Sequence, residues 1–255
     1  MSAEHSEEVA LVTGGGSGIG AALCSHLAGR GTKVWVADVD EIGGQRVAND
    51  IGGTFVRLDV GDSDNWAGVL DQVEDAFGHL DALALNAGIM IRPQGESTED
   101  DVLPWILKNH EKVVSVNLNG VLLGILGALH LLEQSARGRI VVTSSGVGLK
   151  PLESDPVYSM TKHGVIGLVR SIAGPLAERN VSIGAVCPGG VDTPMMSADV
   201  RATGRKIASA SNMASSLISV LDKPIEETGG IWIANSDESP IWRYEFLSTK
   251  PSEVS

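Results

Sequence analysis

Seven short apolar runs alternate with helix-length stretches, and this alternation restricts the possible folds more than any other feature of the chain. The runs are VALVT (9–13), KVWVAD (33–38), TFVRLD (54–59), LDALAL (80–85), RIVVTS (139–144), SIGAVC (182–187) and GIWIA (230–234). Between the third and fourth, Trp66, Val69, Leu70, Val73 and Phe77 recur on one helical face. Strands separated by helices build βαβ units, hence a mostly parallel sheet with helices on both faces. Strands buried on both faces read as continuous apolar runs, as these do. The expectation is a single α/β doubly wound domain with a seven-stranded sheet. No internal repeat, low-complexity tract or linker interrupts residues 1–255, which divide into a core of about 8–234 and a C-terminal tail, 235–255.

Composition narrows the partners. A net charge of −13 argues against nucleic acid and against an anionic membrane surface, since both need clustered Lys and Arg. Cys24 and Cys187 are distant and match no metal spacing, so no metal and a reduced, cytoplasmic chain are expected. The acidic start, MSAEHSEEVALVT, does not read as a signal peptide. Residues 113–132 carry no charge and meet the length criterion for a membrane span. Asn117, Asn119, Gly120 and His130 within them favour instead a helix buried on two sides, by its own sheet and by something else.

TGGGSGIG (13–20) follows the first run and opens a helix. Glycines at 14, 18 and 20 would let the backbone turn sharply and let a pyrophosphate approach a helix N-terminus, where free N–H groups favour anions. A strand–helix turn that merely needs small residues would look similar, but the strand before and helix after are the context a dinucleotide site requires. The domain is therefore expected to be Rossmann-like. Asp38 ends the second run, where a carboxylate can accept from ribose hydroxyls and would repel a 2′-phosphate. Ser17 and Val39 are neutral, so NAD is expected over NADP. The alternative is that Asp38 caps the following helix.

YSMTK (158–162) sets a lysine one helical turn beyond a tyrosine, on a shared face. This could be an ordinary exposed pair. It could also be a phenol whose proton is loosened, because the nearby ammonium and the positive nicotinamide ring of NAD⁺ both favour phenolate and should lower a pKa near 10.

TGGGSGIG, NAG (86–88), VNLNG (116–120), SS (144–145), YSMTK and PGGVDTP (188–194) occur in the order of the short-chain dehydrogenases/reductases, and the chain resembles that family over roughly 8–234. The resemblance implies an NAD-dependent oxidoreductase acting on a secondary alcohol or ketone, with Asn117, Ser145, Tyr158 and Lys162 as catalytic residues. Ser145 stands 13 residues before Tyr158, as in the family pattern, with Ser144 the competitor. By the same resemblance Tyr158 exchanges the hydroxyl proton, Ser145 holds the substrate oxygen, Lys162 also binds the nicotinamide ribose, and Asn117 holds a relay water. Cofactor contacts are implied for Gly14, Ser17, Gly18, Ile19, Gly20 and Asp38, and for Asp59 and Val60 beside adenine. They are implied too for Asn86, Ala87 and Gly88, Tyr158 and Lys162, and Pro188, Gly189, Val191 and Thr193. Leu85, His163 and the ending after GIWIA depart from the family pattern.

Two rival readings stand beside this one: a catalytically silent NAD-sensing protein, and a serine hydrolase built on Ser145, Asp155 and His163. The second lacks the Gly-x-Ser-x-Gly elbow. Segments 89–91, 146–149 and 191–196 are mainly apolar, with Met90, Met195 and Met196, which points to a hydrophobic alcohol or ketone, aromatic, alicyclic or steroid-like, rather than a sugar or a carboxylate; Arg92 could anchor an acid but is expected to face solvent. Apolar surface at Leu122, Leu126 or Leu129, together with the resemblance, implies a homodimer or homotetramer. Trp242, Tyr244 and Phe246 alternate with Arg243 and Glu245, so 240–247 should be ordered, extended and packed on the pocket mouth or a neighbouring subunit, with 249–255 loose.

Overall fold

The computed structural model describes residues 7–92, 101–196, 207–237 and 240–246. The chain order is β1 (Val9–Thr13), α1 (Gly18–Gly29), β2 (Lys33–Asp38), α2 (Glu41–Ile51), β3 (Thr54–Arg57), α3 (Ser63–Phe77) and β4 (Ala82–Leu85). Then come α4 (Leu103–Val114), a π turn (Ser115–Asn119), α5 (Gly120–Gln134), β5 (Gly138–Thr143) and α6 (Pro156–Ala177). β6 (Val181–Pro188), α7 (Ala210–Leu221), β7 (Ile231–Ala234) and β8 (Trp242–Arg243) complete it.

One sheet in the order β3-β2-β1-β4-β5-β6-β7-β8 runs through the molecule. Its first seven strands are parallel, and β8 pairs antiparallel with β7. The seven expected strands are all present, and the eighth is the correction. It forms because Trp242 and Arg243 register against Ile233 and Trp232 on what would otherwise be an open edge. Alternate residues of each strand enter different cores. Val9 and Leu11 join α3, α5 and α6 on one face, while Ala10 and Val12 join α1, α2 and α7 on the other. The strand order reverses between β1 and β4, so a crevice opens at their C-terminal ends, where doubly wound sheets bind ligands.

Helical residues 103–134 form one continuous rod, long and apolar enough to cross a membrane by length and composition. In this fold the α5 part covers the sheet with Val121, Ile125, Ala128, Leu131 and Leu132, all buried. Leu122 and Leu126 face outward, 38% and 56% exposed, whereas Leu129 packs against the core. Leu85, which replaces a second asparagine of the family pattern, is buried in that core. A π turn in mid-rod often marks a functional position, and here it holds Asn117 fully buried.

Candidate active site

The turn after β1 requires its glycines. Gly14 and Gly18 have φ of +66° and +51°, a region that side chains resist. A Cβ on Gly20 would collide with the Gly14 carbonyl oxygen. Ser17 leads into α1 without capping it through its side chain, and the first turn carries no acid, so the helix presents its free N–H groups to an anion. Across the crevice, Thr193 approaches this turn, because a Cβ on Gly18 would stand 3.0 Å from its methyl.

Asp38 Oδ2 accepts from Gly16 N–H at 2.8 Å and Oδ1 from Asp40 N–H at 3.0 Å. The cap of α2 is Asp40, which accepts from Gly43 N–H at 3.1 Å. The capping alternative for Asp38 therefore passes to its neighbour. Sequence reasoning missed Arg46, whose Nη2 donates to the Gly16 carbonyl at 3.3 Å from one turn inside α2. Only α2's register brings it to the turn, so no local pattern announced it. Asp59 is exposed just past β3, accepting from Gly61 N–H at 3.0 Å, and buried Val60 accepts from Trp66 Nε1 at 2.9 Å. Ile19 packs into the α1 core, Pro188 ends β6, Gly189 N–H bonds the Ala234 carbonyl at 2.9 Å, and Val191 bridges Ala208.

Asn86 ties strand ends together. Its N–H and that of Ala87 donate to Thr13 Oγ1 at 2.9 and 3.1 Å, and its Nδ2 reaches the Thr13 carbonyl at 3.2 Å. Thr143 Oγ1 donates to Asn86 Oδ1 at 3.0 Å, and the Thr143 carbonyl accepts from Lys162 Nζ at 2.8 Å. Thr13 and Thr143 were not singled out from the sequence, although Thr13 opens the glycine-rich motif.

Tyr158, Ser145, Lys162 and Asn117 converge where these strand ends meet α6. The Ser145 hydroxyl stands beside the Tyr158 phenol and favours its deprotonated form. Ser144 turns the other way, donating to the Lys162 carbonyl at 3.1 Å, so the two serines are spent on different tasks. Lys162 is 3% exposed, its Nζ lying 5.5 Å from the Tyr158 ring centroid. The Asn117 amide donates to the Ile89 carbonyl at 2.8 Å and to Thr161 Oγ1 at 3.3 Å, and its oxygen accepts from Ile89 N–H at 2.8 Å.

Burial pushes the Tyr158 phenol of the cofactor-free chain up to about 12, opposed in part by Ser145. Burial also brings Lys162 down to about 8. Desolvation is a property of the whole fold, and in this structure it is the largest influence on the phenol. Cys187, packed beside Ser144, is raised to about 11 by burial and is no nucleophile at neutral pH. His163 is exposed and bonded to the Ser159 carbonyl at 2.8 Å, while Asp155 bonds main-chain N–H groups, so Ser145, Asp155 and His163 form no relay.

On the substrate side, Ile89 and Met90 are half-buried, Ile91 is buried, and Met195 is 40% exposed. Arg92 does not face solvent: it is 9% exposed, its guanidinium 6.0 Å from the Trp105 ring centroid. The tail is extended as expected, and within the chain it does not close over the crevice. Trp242, Tyr244 and Phe246 each keep more than a third of their surface exposed. Tyr244 and Phe246 pack edge to face at 4.9 Å, and Arg170 stacks on Phe246 at 3.7 Å. Arg170 is twelve residues past Tyr158 on α6, about 18 Å along a helix. The end of the tail thus points away from the crevice. Residues 247 and 249–255 lie outside the described residues.

A family model for short chain dehydrogenases matches residues 8–203. Cis-4-hydroxycyclohexanecarboxylate dehydrogenase of Sinomonas cyclohexanicum is 40% identical over 211 residues, 80% of this chain and 82% of that one. A 3-alpha-(or 20-beta)-hydroxysteroid dehydrogenase of Mycobacterium tuberculosis is 34% identical over 197 residues, 76% of this chain and 73% of that one. The crystal structure of levodione reductase superposes with a TM-score of 0.77 at 26% identity, covering 89% of this chain and 95% of that one. The chain belongs to the short chain dehydrogenase family, oxidoreductases that work with a nicotinamide cofactor.

Proposed function

We propose that this family member interconverts a hydrophobic cyclic secondary alcohol and its ketone with NAD(H), and that Tyr158 exchanges the hydroxyl proton. The observation that carries the reading is the buried Lys162 ammonium held 5.5 Å from the Tyr158 ring centroid, with Ser145 beside the phenol. When bound, the cofactor supplies the hydride acceptor or donor and, oxidised, a positive charge beside the phenol. The glycine turn, the open N–H groups of α1 and Asp38 fit its pyrophosphate and adenosine ribose. Asp38's negative charge supports NAD over NADP, with Arg46 already engaged by the Gly16 carbonyl and by Asp50 at 3.6 Å.

A phenol near pH 12 is protonated at neutrality, so the resting site is poised to donate a proton to a ketone oxygen. For the reverse reaction Tyr158 must lose that proton, and the Lys162 ammonium supplies part of the positive charge that favours its loss. Ser145 holds the substrate oxygen. Both amide donors of Asn117 are committed, so a relay water can meet only the remaining lone pair of Oδ1. A Cβ on Gly88 would stand 3.4 Å from both Oδ1 and Lys162 Nζ, so the glycine leaves room between them. This supports a proton path at that point.

Ile89, Met90, Met195 and Met196 support an apolar ring as substrate. A ring carrying a carboxylate is the second reading, favoured by buried Arg92 beside the same segment and by the name of the Sinomonas relative. Leu122 and Leu126 support a two-fold helix contact in a homodimer or homotetramer. Two free, buried cysteines fit a reducing, cytoplasmic setting.

The test is NAD reduction with cyclohexanol, 4-hydroxycyclohexanecarboxylate and a hydroxysteroid, comparing wild type with Tyr158→Phe. Turnover should fall about 10²–10⁴-fold while NAD binding persists. Comparable turnover in the variant would sink the mechanism. NAD binding without turnover of any alcohol in the wild type would favour the silent sensor.

A further inference from the structure

The segment that follows β4 is held by side chains from three helical elements. Asn117 of the π turn bonds both the N–H and the carbonyl of Ile89, each at 2.8 Å. Asn109 of α4 donates to the Ile91 carbonyl at 2.8 Å. The Ile91 N–H goes to Asp155 Oδ2, also at 2.8 Å. The other oxygen of that carboxylate, Oδ1, accepts the Tyr158 N–H at 2.8 Å.

Asp155 is therefore more than the N-cap of α6. A cap needs one side-chain oxygen, and Ser, Thr or Asn supply it as well as Asp. Here the second oxygen leaves the helix and fixes a segment 64 residues earlier. The carboxylate is 1% exposed, which is costly for a charge, and burial raises its pKa above the ordinary range. The two N–H donors and the charge of Arg92 oppose that rise. A carboxylate retained under these conditions joins two parts of the site that no other described hydrogen bond joins directly.

We propose that Asp155 is a positioning residue: by accepting from Ile91 N–H with one oxygen and Tyr158 N–H with the other, it sets segment 89–91 in register with Tyr158. The inference rests on the reading of Tyr158 as the proton-exchanging group. The groups facing the phenol are Asp155 at the helix start, Lys162 one turn on, Ser145 after β5 and Cys187 at the end of β6. Asp155 and Cys187 oppose phenolate, and Ser145 favours it. Neutralising Asp155 should thus make the phenol more acidic.

Two substitutions separate the roles. Asp155→Asn removes the charge and keeps one acceptor of similar reach. Asp155→Ser keeps a cap for Tyr158 N–H but cannot extend to Ile91. NAD reduction with cyclohexanol is followed from pH 6 to 10, beside a Tyr158→Phe control. In both Asp155 variants the rising limb of the profile should move to lower pH by about half a unit or more. KM for the alcohol should rise about tenfold in Asp155→Ser and less in Asp155→Asn. A second readout needs no turnover. The chain has two tyrosines, so in a Tyr244→Phe background tyrosinate absorbance reports Tyr158 alone, and its midpoint should fall when Asp155 is neutralised. Unchanged KM, pH profile and tyrosinate midpoint, with only a lower melting temperature, would make Asp155 a plain helix cap. Undiminished turnover in Tyr158→Phe would instead sink the acid–base reading, and the absorbance titration would still decide whether Asp155's charge reaches the phenol.

Discussion

The two walls of the crevice are made of different material. Toward β1, β2 and α1 the surface is main chain and small residues: a glycine turn, open helix N–H groups, and Asp38 bonded to Gly16 N–H. Toward 89–92 and 191–196 it is side chain, with Ile89, Met90, Met195 and Met196 at the surface. A backbone wall has one shape for a given turn, so it suits a ligand that never changes. A side-chain wall can be recut by substitution without disturbing the sheet behind it, which suits a substrate that differs between relatives.

The comparison breaks most visibly at Gly20. Gly20→Ala drives a methyl into the Gly14 carbonyl, so cofactor affinity should fall about a hundredfold and the melting temperature by several degrees. Met195→Ala, on the other wall, should leave cofactor affinity within about twofold and change only KM for the alcohol. Calorimetric titration with NADH checks both, and equal effects would erase the distinction between the walls.

Asp38→Ala sharpens the comparison within the backbone wall. It removes the carboxylate expected to accept from ribose, and the preference for NAD over NADP should shrink about tenfold. A wild type that already prefers NADP would refute the assignment, and Arg46 would become the group to examine.

Lys162 sits between the walls, and its effect is on pH dependence. Its pKa in the folded chain, about 8, lies below the ordinary lysine value of 10.5. The folded state therefore binds fewer protons than the unfolded one across that window, and this residue makes stability rise with pH between those values. Lys162→Met lacks the contribution. The variant's melting temperature relative to wild type should fall steadily as pH rises from 8 to 10, and a flat or rising difference would show that the ammonium is better solvated than its burial suggests.

The smallest effect belongs to the tail. Truncation after residue 239 removes β8, the Tyr244 N–H to Ile231 carbonyl bond at 2.7 Å and the Phe246–Arg170 stack. Melting temperature should drop a few degrees through the newly opened β7 edge, while NAD binding survives. A change in sedimentation would place the exposed aromatics in a subunit contact, and an unchanged protein in every respect would make the tail decoration.

How much of this was legible in the sequence follows the same division. The sheet and the glycine turn could be read because their signals are local: apolar runs, and glycines where only glycine fits. The convergence of Ser145, Tyr158 and Lys162 was legible from spacing and family resemblance. Arg46 and Arg92 were not, since reaching the Gly16 carbonyl or being covered beside Trp105 depends on how distant helices dock. The phenol's burial was not legible either: the lysine is four residues away in sequence, but the burial comes from the whole fold. The tail's extended form was visible in its alternation, whereas its partner on α6 was not.

The tie through Thr13, Asn86, Thr143 and Lys162 also bears on how the chain reaches this state. Its hydrogen bonds span residues 13, 86, 143 and 162, so the full set needs β1, β4 and β5 side by side. Loop closure over such separations precedes any reward from the contact. If the tie closes after the transition state, weakening it should speed unfolding and leave folding almost unchanged, whereas slowed folding would place it in the nucleus. In the first case, the same bonds that aim the ammonium at the tyrosine act as the latch that sets the lifetime of the native protein.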